Sequence, residues 1–249
     1  MSSESAKRLA EHYSEEGTGT SADLRNSALI ALILSKIKGK TVLDIGCGSG
    51  FLLGELVKAG KQVSGVEPNH ELATLLRKRY PSIPVAEQTV ETLEQVLGTF
   101  DTITLLDVLE HVENDTTALQ SICKKLVPGG QFILVVPAHQ GLYGKRDEAM
   151  GHYRRYSKKK LLSKLHDAGF VIHESRHWNA LAFLPYWFAE KILHRELTVS
   201  YRADTNARGI KKLLRNIISI WFAYVEHHID FGFGLSIIVV AERPISTKS

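Results

Sequence analysis

The segment Thr41-Val-Leu-Asp-Ile-Gly-Cys-Gly-Ser-Gly50 narrows the possible folds more than any other part of this chain. Val42, Leu43 and Ile45 read as a short buried strand. Gly46, Gly48 and Gly50 follow at alternate positions, and a helical apolar pattern (Leu52, Leu53, Leu56, Val57) begins at Phe51. A strand, a glycine turn and a helix start bring backbone amides and the positive end of a helix to a ligand. Glycine suits such a turn because a Cβ would block close approach.

Gln62-Val-Ser-Gly-Val-Glu67 reads as the next strand, ending in a carboxylate 19 positions after Gly48. In a doubly wound sheet an acidic side chain at that place binds ribose hydroxyls. The loop itself is Asp44-x-Gly46-x-Gly48-x-Gly50, which departs from the G-x-G-x-x-G of dinucleotide enzymes. Its internal Asp44 would repel a pyrophosphate. It suits a ligand with an ammonium group and no phosphate. S-adenosylmethionine meets that description, with adenine, ribose, a sulfonium and an amino acid end.

Strands are expected near 41–45, 62–67, 83–86, 100–106, 131–136, 171–176 and 235–241. Helices are expected near 24–37, 51–59, 70–79, 115–126 and 158–168. This alternation predicts an α/β fold with a mostly parallel sheet covered on both faces. Pro128-Gly-Gly130 predicts a helix stop before a strand. The rhythm breaks over 179–234, far longer than an ordinary connection. That segment predicts a helical cap inserted before the last strand, with 1–178 and 235–249 forming the main domain. Its 210–225 stretch is amphipathic: Ile210, Leu213, Leu214, Ile217, Ile218 and Trp221 oppose Lys211, Lys212 and Arg215. The aromatics of the cap are expected mainly to form its own core.

Charge divides the chain. Residues 1–144 carry a net −4 and residues 145–249 a net +8. The basic half is suited to an anionic substrate or surface, so peripheral contact with an anionic membrane is an expectation. No run is apolar and long enough for a spanning helix, and no apolar leader follows Met1. Cys47 and Cys123 make no disulfide framework. A reducing, cytoplasmic setting is expected.

Five segments together resemble the motifs of class I S-adenosylmethionine-dependent methyltransferases. They are Val42-Leu-Asp-Ile-Gly-Cys-Gly-Ser-Gly50, Val66-Glu-Pro-Asn69, Gln88-Thr-Val-Glu91, Asp107-Val-Leu-Glu-His-Val112 and Leu126-Val-Pro-Gly-Gly-Gln-Phe132. Over about 25–175 the chain is most similar to the branch of the ubiquinone-biosynthesis O-methyltransferases. The resemblance implies a Rossmann-like seven-stranded sheet whose last strand runs antiparallel. It implies Asp44, Gly46 and Gly48 around the methionine portion, and Glu67 on both ribose hydroxyls. It places Asn69 near the ribose or adenine, Thr89 and Val90 beside adenine, and Arg25 facing the cofactor carboxylate. Cys47, Pro68 and Leu106 complete that set. Thr89 stands where many relatives carry Asp.

Methyl transfer is an in-line displacement at a sulfonium carbon, so an enzyme mainly positions the acceptor. An oxygen acceptor must also lose a proton, to a base or with help from a metal ion. Asp107-Val-Leu-Glu110-His111 follows the 100–106 strand at its ligand-binding end. On a helical turn Asp107, Glu110 and His111 would share one side. His152, in Gly151-His-Tyr-Arg-Arg-Tyr156, adds a second imidazole. Glu110, His111 and His152 are the candidate catalytic residues, and with Asp107 they form a candidate divalent-metal set. Some relatives, including small-RNA 2′-O-methyltransferases, hold Mg²⁺ with a similar acid-x-x-Glu-His set. Arg154, Arg155, Tyr156 and His139 are candidate acceptor-site residues, the arginines through bidentate contacts to a carboxylate or phosphate.

Three functions stay open at this point. The first is O-methylation of a small-molecule or lipid-linked acceptor with a base near His111. The second is metal-assisted RNA ribose 2′-O-methylation, although no RNA-binding motif is visible and nucleic acid is not the expected partner. The third is a non-catalytic cofactor-binding scaffold.

Overall fold

The computed structural model describes residues 24–192 and 210–245. α1 (Leu24–Lys36) precedes β1 (Thr41–Ile45), α2 (Phe51–Lys58), β2 (Gln62–Val66), α3 (His70–Arg79) and the short β3 (Val85–Ala86). β4 (Phe100–Leu106), α4 (Asp115–Lys125) and β5 (Leu126–Pro137) follow. Then come α5 (Lys145–Met150), α6 (Lys158–Asp167), β6 (Val171–Trp178), α7 (Ala180–Lys191), α8 (Ile210–Ile220) and β7 (Ser236–Glu242).

The seven strands make one sheet in the order β3-β2-β1-β4-β5-β7-β6. The first five strands pair in parallel. β7 runs antiparallel to both β5 and β6. The predicted α/β sheet and its antiparallel last strand are both present.

Alternate residues of a strand point to opposite faces, and here both faces are covered. Leu43, Ile45, Ile103, Phe132 and Leu134 pack with Leu119 and Ile122 of α4 and Leu161 and Leu165 of α6. Val42, Ile133, Val135 and Ile238 pack on the other side with Ile33 of α1, Leu53 of α2 and Leu76 of α3. β1 therefore leads to a helix on one face and β4 to a helix on the other. The crevice opened by that divergence, at the carboxyl ends of β1 and β4, is where such sheets bind ligands.

Pro128-Gly-Gly130 does stop α4, but it lies within β5 instead of preceding it. Leu126 stands opposite Phe100 and Gln131 opposite Thr102, so the residues between bulge outward. Gly129 takes a φ of 77°, and Gly129 and Gly130 exchange backbone hydrogen bonds with Arg243 at 2.8 Å each.

Among the described residues between β6 and β7 lie α7, α8 and one π turn, Trp221–Val225. Arg176 of β6 caps the end of that turn, donating to the carbonyls of Glu226, His227 and Ile229. The buried Glu226 carboxylate accepts from Ala180 N at 2.6 Å and Trp221 Nε1 at 2.8 Å, tying α7 to the turn. Trp178 and Phe222 are buried, but in the core between the sheet, α1 and α2 and not in a core of the cap's own; Tyr186 is buried on Arg155, whereas Trp187, Phe188 and Tyr224 are exposed.

Candidate active site

The loop after β1 is built on left-handed backbone. Gly46, Gly48 and Gly50 have φ of 72°, 51° and 76°. A Cβ on Gly46 would sit 2.3 Å from Val108 Cγ2, and one on Gly50 would sit 2.4 Å from Leu76 Cδ2. Turn geometry and neighbour packing thus demand glycine, a stronger constraint than the ligand approach expected from sequence. Gly46 N and Cys47 N both donate to Val66 O, at 2.7 and 3.2 Å, pinning the loop to β2. The Cys47 thiol is buried against Val66 O at 3.4 Å. Burial pushes its pKa well above the usual thiol range, so it is inert.

Two carboxyls lie at the base of this loop. Asp44 is buried and accepts from Thr104 Oγ1 at 2.7 Å. Burial pushes its pKa up to about 7, against the Thr104 hydrogen bond and with the help of Glu67. Glu67 is held by backbone: Gly48 N donates to Oε2 at 2.8 Å and Asn69 N to Oε1 at 2.9 Å. Its pKa is also raised, by burial above all. Each oxygen retains a second lone pair for an incoming hydroxyl. The Asn69 side chain caps α3, accepting from Leu72 N at 3.0 Å.

A cavity of about 480 Å³ opens above these groups. Gly46, Gly48, Glu67, Pro68, Asn69, Thr89 and Val90 of the predicted cofactor set line it. So do Asp107 and His111 from the predicted chemical segment. Asp44, Cys47 and Leu106 are not among its lining residues. Arg25 stands in α1, and its side chain lies outside the described residues. Val108 and Val112, which sequence reasoning passed over, supply apolar wall.

The segment after β4 is not the helical turn expected. Asp107 adopts a φ of 52°, a conformation costly for a non-glycine residue and concentrated at functional sites. Only Leu109–His111 form a 3₁₀ turn. The shared face predicted for Asp107, Glu110 and His111 therefore does not arise from helical spacing. Instead Glu110, His111 and His152 converge, with one ligand atom of each within 4.8 Å of the others, and Asp107 stands outside that group.

The electrostatics of the trio are unusual. Glu110 is 1% exposed, and its Oε2 has no hydrogen-bond partner. Burial first, then Asp107, pushes its pKa well above the carboxylate range, a shift toward the neutral form. His111 is pushed down to about 4, by burial and then by His152. Its ring is hydrogen-bonded to the Gly151 backbone while Nδ1 has no partner. The His111 and His152 rings meet edge to face at 4.6 Å.

Asp147, on α5, is the residue that sequence reading missed. It looked like surface charge in Lys145-Arg-Asp-Glu-Ala-Met150, yet it is 1% exposed. Its carboxylate accepts from Arg155 Nε at 2.9 Å to both oxygens and from Gly144 N at 3.1 Å. It also meets His152 Nδ1 at 2.8 Å. That contact turns Nε2 of His152 toward the trio.

The remaining acceptor-site candidates are engaged within the protein. Arg155 is buried on Asp147 and donates to Tyr186 Oη at 3.0 Å. Arg154 pairs with Asp115 at 3.0 Å and donates to Glu113 O at 2.8 Å. Tyr156 is a core residue whose hydroxyl reaches Leu109 O at 3.2 Å and Asp115 Oδ2 at 3.1 Å. His139 stands just past β5 with a φ of 62°, stacked on His177 at 5.7 Å, and its Nε2 has no partner.

Comparison with known proteins agrees with this architecture. The methyltransferase domain family matches residues 20–175. The chain is 34% identical over 103 residues to a ubiquinone biosynthesis O-methyltransferase of Paracidovorax citrulli, covering 39% of this chain and 43% of that protein. It is 35% identical over 107 residues to the enzyme of the same name from Dechloromonas aromatica, covering 39% and 44%. The aligned stretch thus spans less than half the length of these relatives. Among solved structures, the N-methyltransferase NodS of Bradyrhizobium japonicum, complexed with S-adenosyl-L-homocysteine, aligns with a TM-score of 0.56 at 15% identity, covering 88% of this chain and 86% of that one. The [4+2]-cyclase SpnF aligns with a TM-score of 0.57 at 20% identity, covering 90% and 82%, which shows that the frame is shared beyond methyl transfer. The family match covers well over half of the chain, and the chain belongs to the methyltransferase domain family.

Proposed function

We propose that this methyltransferase takes its methyl group from S-adenosylmethionine and places it on an oxygen of a small-molecule or lipid-linked acceptor. The observation that carries the reading is that Gly48, Glu67 and His111 line one cavity. Glu67 accepts the ribose hydroxyls, Thr89 and Val90 flank adenine, and ionised Asp44 balances the cationic end. The oxygen in the names of the curated relatives supports oxygen as the acceptor atom.

In the transfer, the acceptor C–O bond forms as the S–CH₃ bond breaks, and S-adenosylhomocysteine leaves. The acceptor proton goes to the imidazole of His111, which lines the cavity. A phenol with a pKa near 10 giving its proton to a base near 4 faces a cost of about 8 kcal/mol. His111 alone is therefore a weak driver.

That cost, with the orphaned atoms of Glu110 and His111, favours a second reading in which the trio holds a divalent cation. One carboxylate and two imidazoles fit a first-row transition ion better than Mg²⁺, which prefers oxygen ligands. When bound, such an ion lowers the pKa of the acceptor hydroxyl. Glu110 as carboxylate, His111 and His152 would hold it, and Asp147 would orient the His152 ring for that role.

The deciding experiment is calorimetric titration with S-adenosylhomocysteine, with and without EDTA, Mn²⁺ or Mg²⁺, followed by a labelled-methyl screen of hydroxylated aromatics, lipid-linked acceptors and amines. Micromolar binding and transfer to a hydroxyl are expected, with chelator-sensitive turnover restored better by Mn²⁺. Absence of cofactor binding defeats the first reading, and chelator-insensitive turnover the second.

A further inference from the structure

α8 turns most of its apolar side away from the protein. Leu213, Leu214, Ile217 and Ile220 are 58%, 52%, 53% and 55% exposed, and Tyr224 in the π turn beyond is 69% exposed. At helical spacing these five positions occupy about one third of the circumference. The helix meets the body through the border of that stripe. Ile218 and Trp221 pack against the core that includes α1, and Phe222 is fully buried. A stripe serving only as cap core would face inward. Here its middle is left to water, an arrangement that marks an interaction surface.

The charge beside it points to one kind of partner. Residues 145–249 carry the net +8, and Lys211, Lys212 and Arg215 belong to the α8 sequence itself. We propose that α8 docks this protein on an anionic lipid bilayer. The helix lies in the interface plane, with Leu213, Leu214, Ile217 and Ile220 entering the acyl boundary, while the net positive charge of the C-terminal half draws the protein to anionic head groups. Among the described residues no helix is long and apolar enough to cross a membrane, so this contact is peripheral. This docking is independent of the reaction at Glu110.

The test sediments the full chain with vesicles of phosphatidylcholine alone or mixed with phosphatidylglycerol, at low and moderate salt. Two double variants are compared: Leu214→Glu with Ile217→Glu, and Lys211→Glu with Lys212→Glu. Expected are salt-sensitive binding to the anionic vesicles and at least about tenfold weaker binding to neutral ones. Either variant loses at least about tenfold in vesicle binding, with unchanged affinity for S-adenosylhomocysteine as the check on folding. If the apolar variant misfolds, Ile217→Ser replaces it with a smaller loss of the same sign. Failure of the native chain to bind anionic vesicles overturns the proposal, as does undiminished binding by a folded apolar variant. Equal binding to both vesicle types overturns it too. A dimer seen by light scattering, abolished by the apolar variant and unaccompanied by vesicle binding, assigns the surface to a second copy and overturns it as well.

Discussion

Glu67 and Glu110 are both buried glutamates at the ligand-facing edge of one sheet, yet they are treated in opposite ways. Glu67 has each oxygen held by a backbone amide, from Gly48 and Asn69. Glu110 has Oε2 without any partner, next to a histidine nitrogen in the same condition. A buried polar atom left unpaired costs about 1–3 kcal/mol. A fold accepts that cost where an arriving group makes the missing bond. The Glu67 end is thus finished in advance, and in the proposed function it fixes position. The Glu110 end is left incomplete, and in the proposed function it handles protons or a cation.

The sharpest way to break this contrast is at His111. His111→Ala is expected to lower turnover by about 10²–10⁴-fold, with S-adenosylhomocysteine affinity within about threefold of the native value. Calorimetry beside labelled-methyl turnover checks it. An equal fall in affinity would merge the two ends into one site.

Glu67→Gln should do the reverse. One oxygen still accepts an amide, but the new NH₂ confronts the other backbone N–H. Cofactor affinity is expected to fall by about 10–100-fold, while turnover at saturating cofactor stays near native. A loss confined to turnover would contradict the positioning role.

Asp147→Asn sharpens the picture from outside the cavity. It removes the charge that holds Arg155 and orients His152, with an expected loss of about 10–100-fold in turnover or metal affinity. Nitrogen chemical shifts of the His152 ring should change with it. Lost activity with an unchanged His152 signal would reduce Asp147 to a structural support.

The smallest effect concerns Asp44 and pH. Its folded pKa, about 7, lies above that of an unfolded chain, so the folded state holds this proton more tightly. Its contribution to stability is complete below about pH 4 and is lost as pH rises through 7. A bound ammonium prefers the anion, so S-adenosylhomocysteine affinity rises over that same window. Asp44→Asn should flatten both slopes and weaken binding at pH 8 by about tenfold. Melting temperature and calorimetry across pH 5–8 read the two slopes, and their persistence in the variant would assign them to another group.

Local order explains what the sequence disclosed. The β1 loop is legible because three glycines, an acid and the next strand lie within one short stretch. The same holds for the apolar strands, whose alternation needs no distant contact. The trio was legible only as residue types. The prediction assumed helical spacing from Asp107, and a left-handed residue there redirected the chain. Asp147 was hidden because a buried acid and a surface acid look alike until Arg155 and His152 are brought to it. Likewise Arg154 and Arg155 read as free ligand binders, although their carboxylate partners wait inside the protein. α8 was recognisable as amphipathic, but its spacing did not say that the apolar side faces outward.

The place of β7 has a consequence for synthesis. Among the described residues β6 joins the sheet only through β7, and β7 alone fills the seam beside β5. As the ribosome releases the chain, β1 to β5 can associate early, while β6 must wait for the whole 179–235 segment to emerge. Until then β5 presents an open, apolar edge, the kind that recruits strands from neighbouring chains. The segment between β6 and β7 thus sets a delay in assembly, and lengthening it would extend the interval in which a nascent chain depends on chaperones.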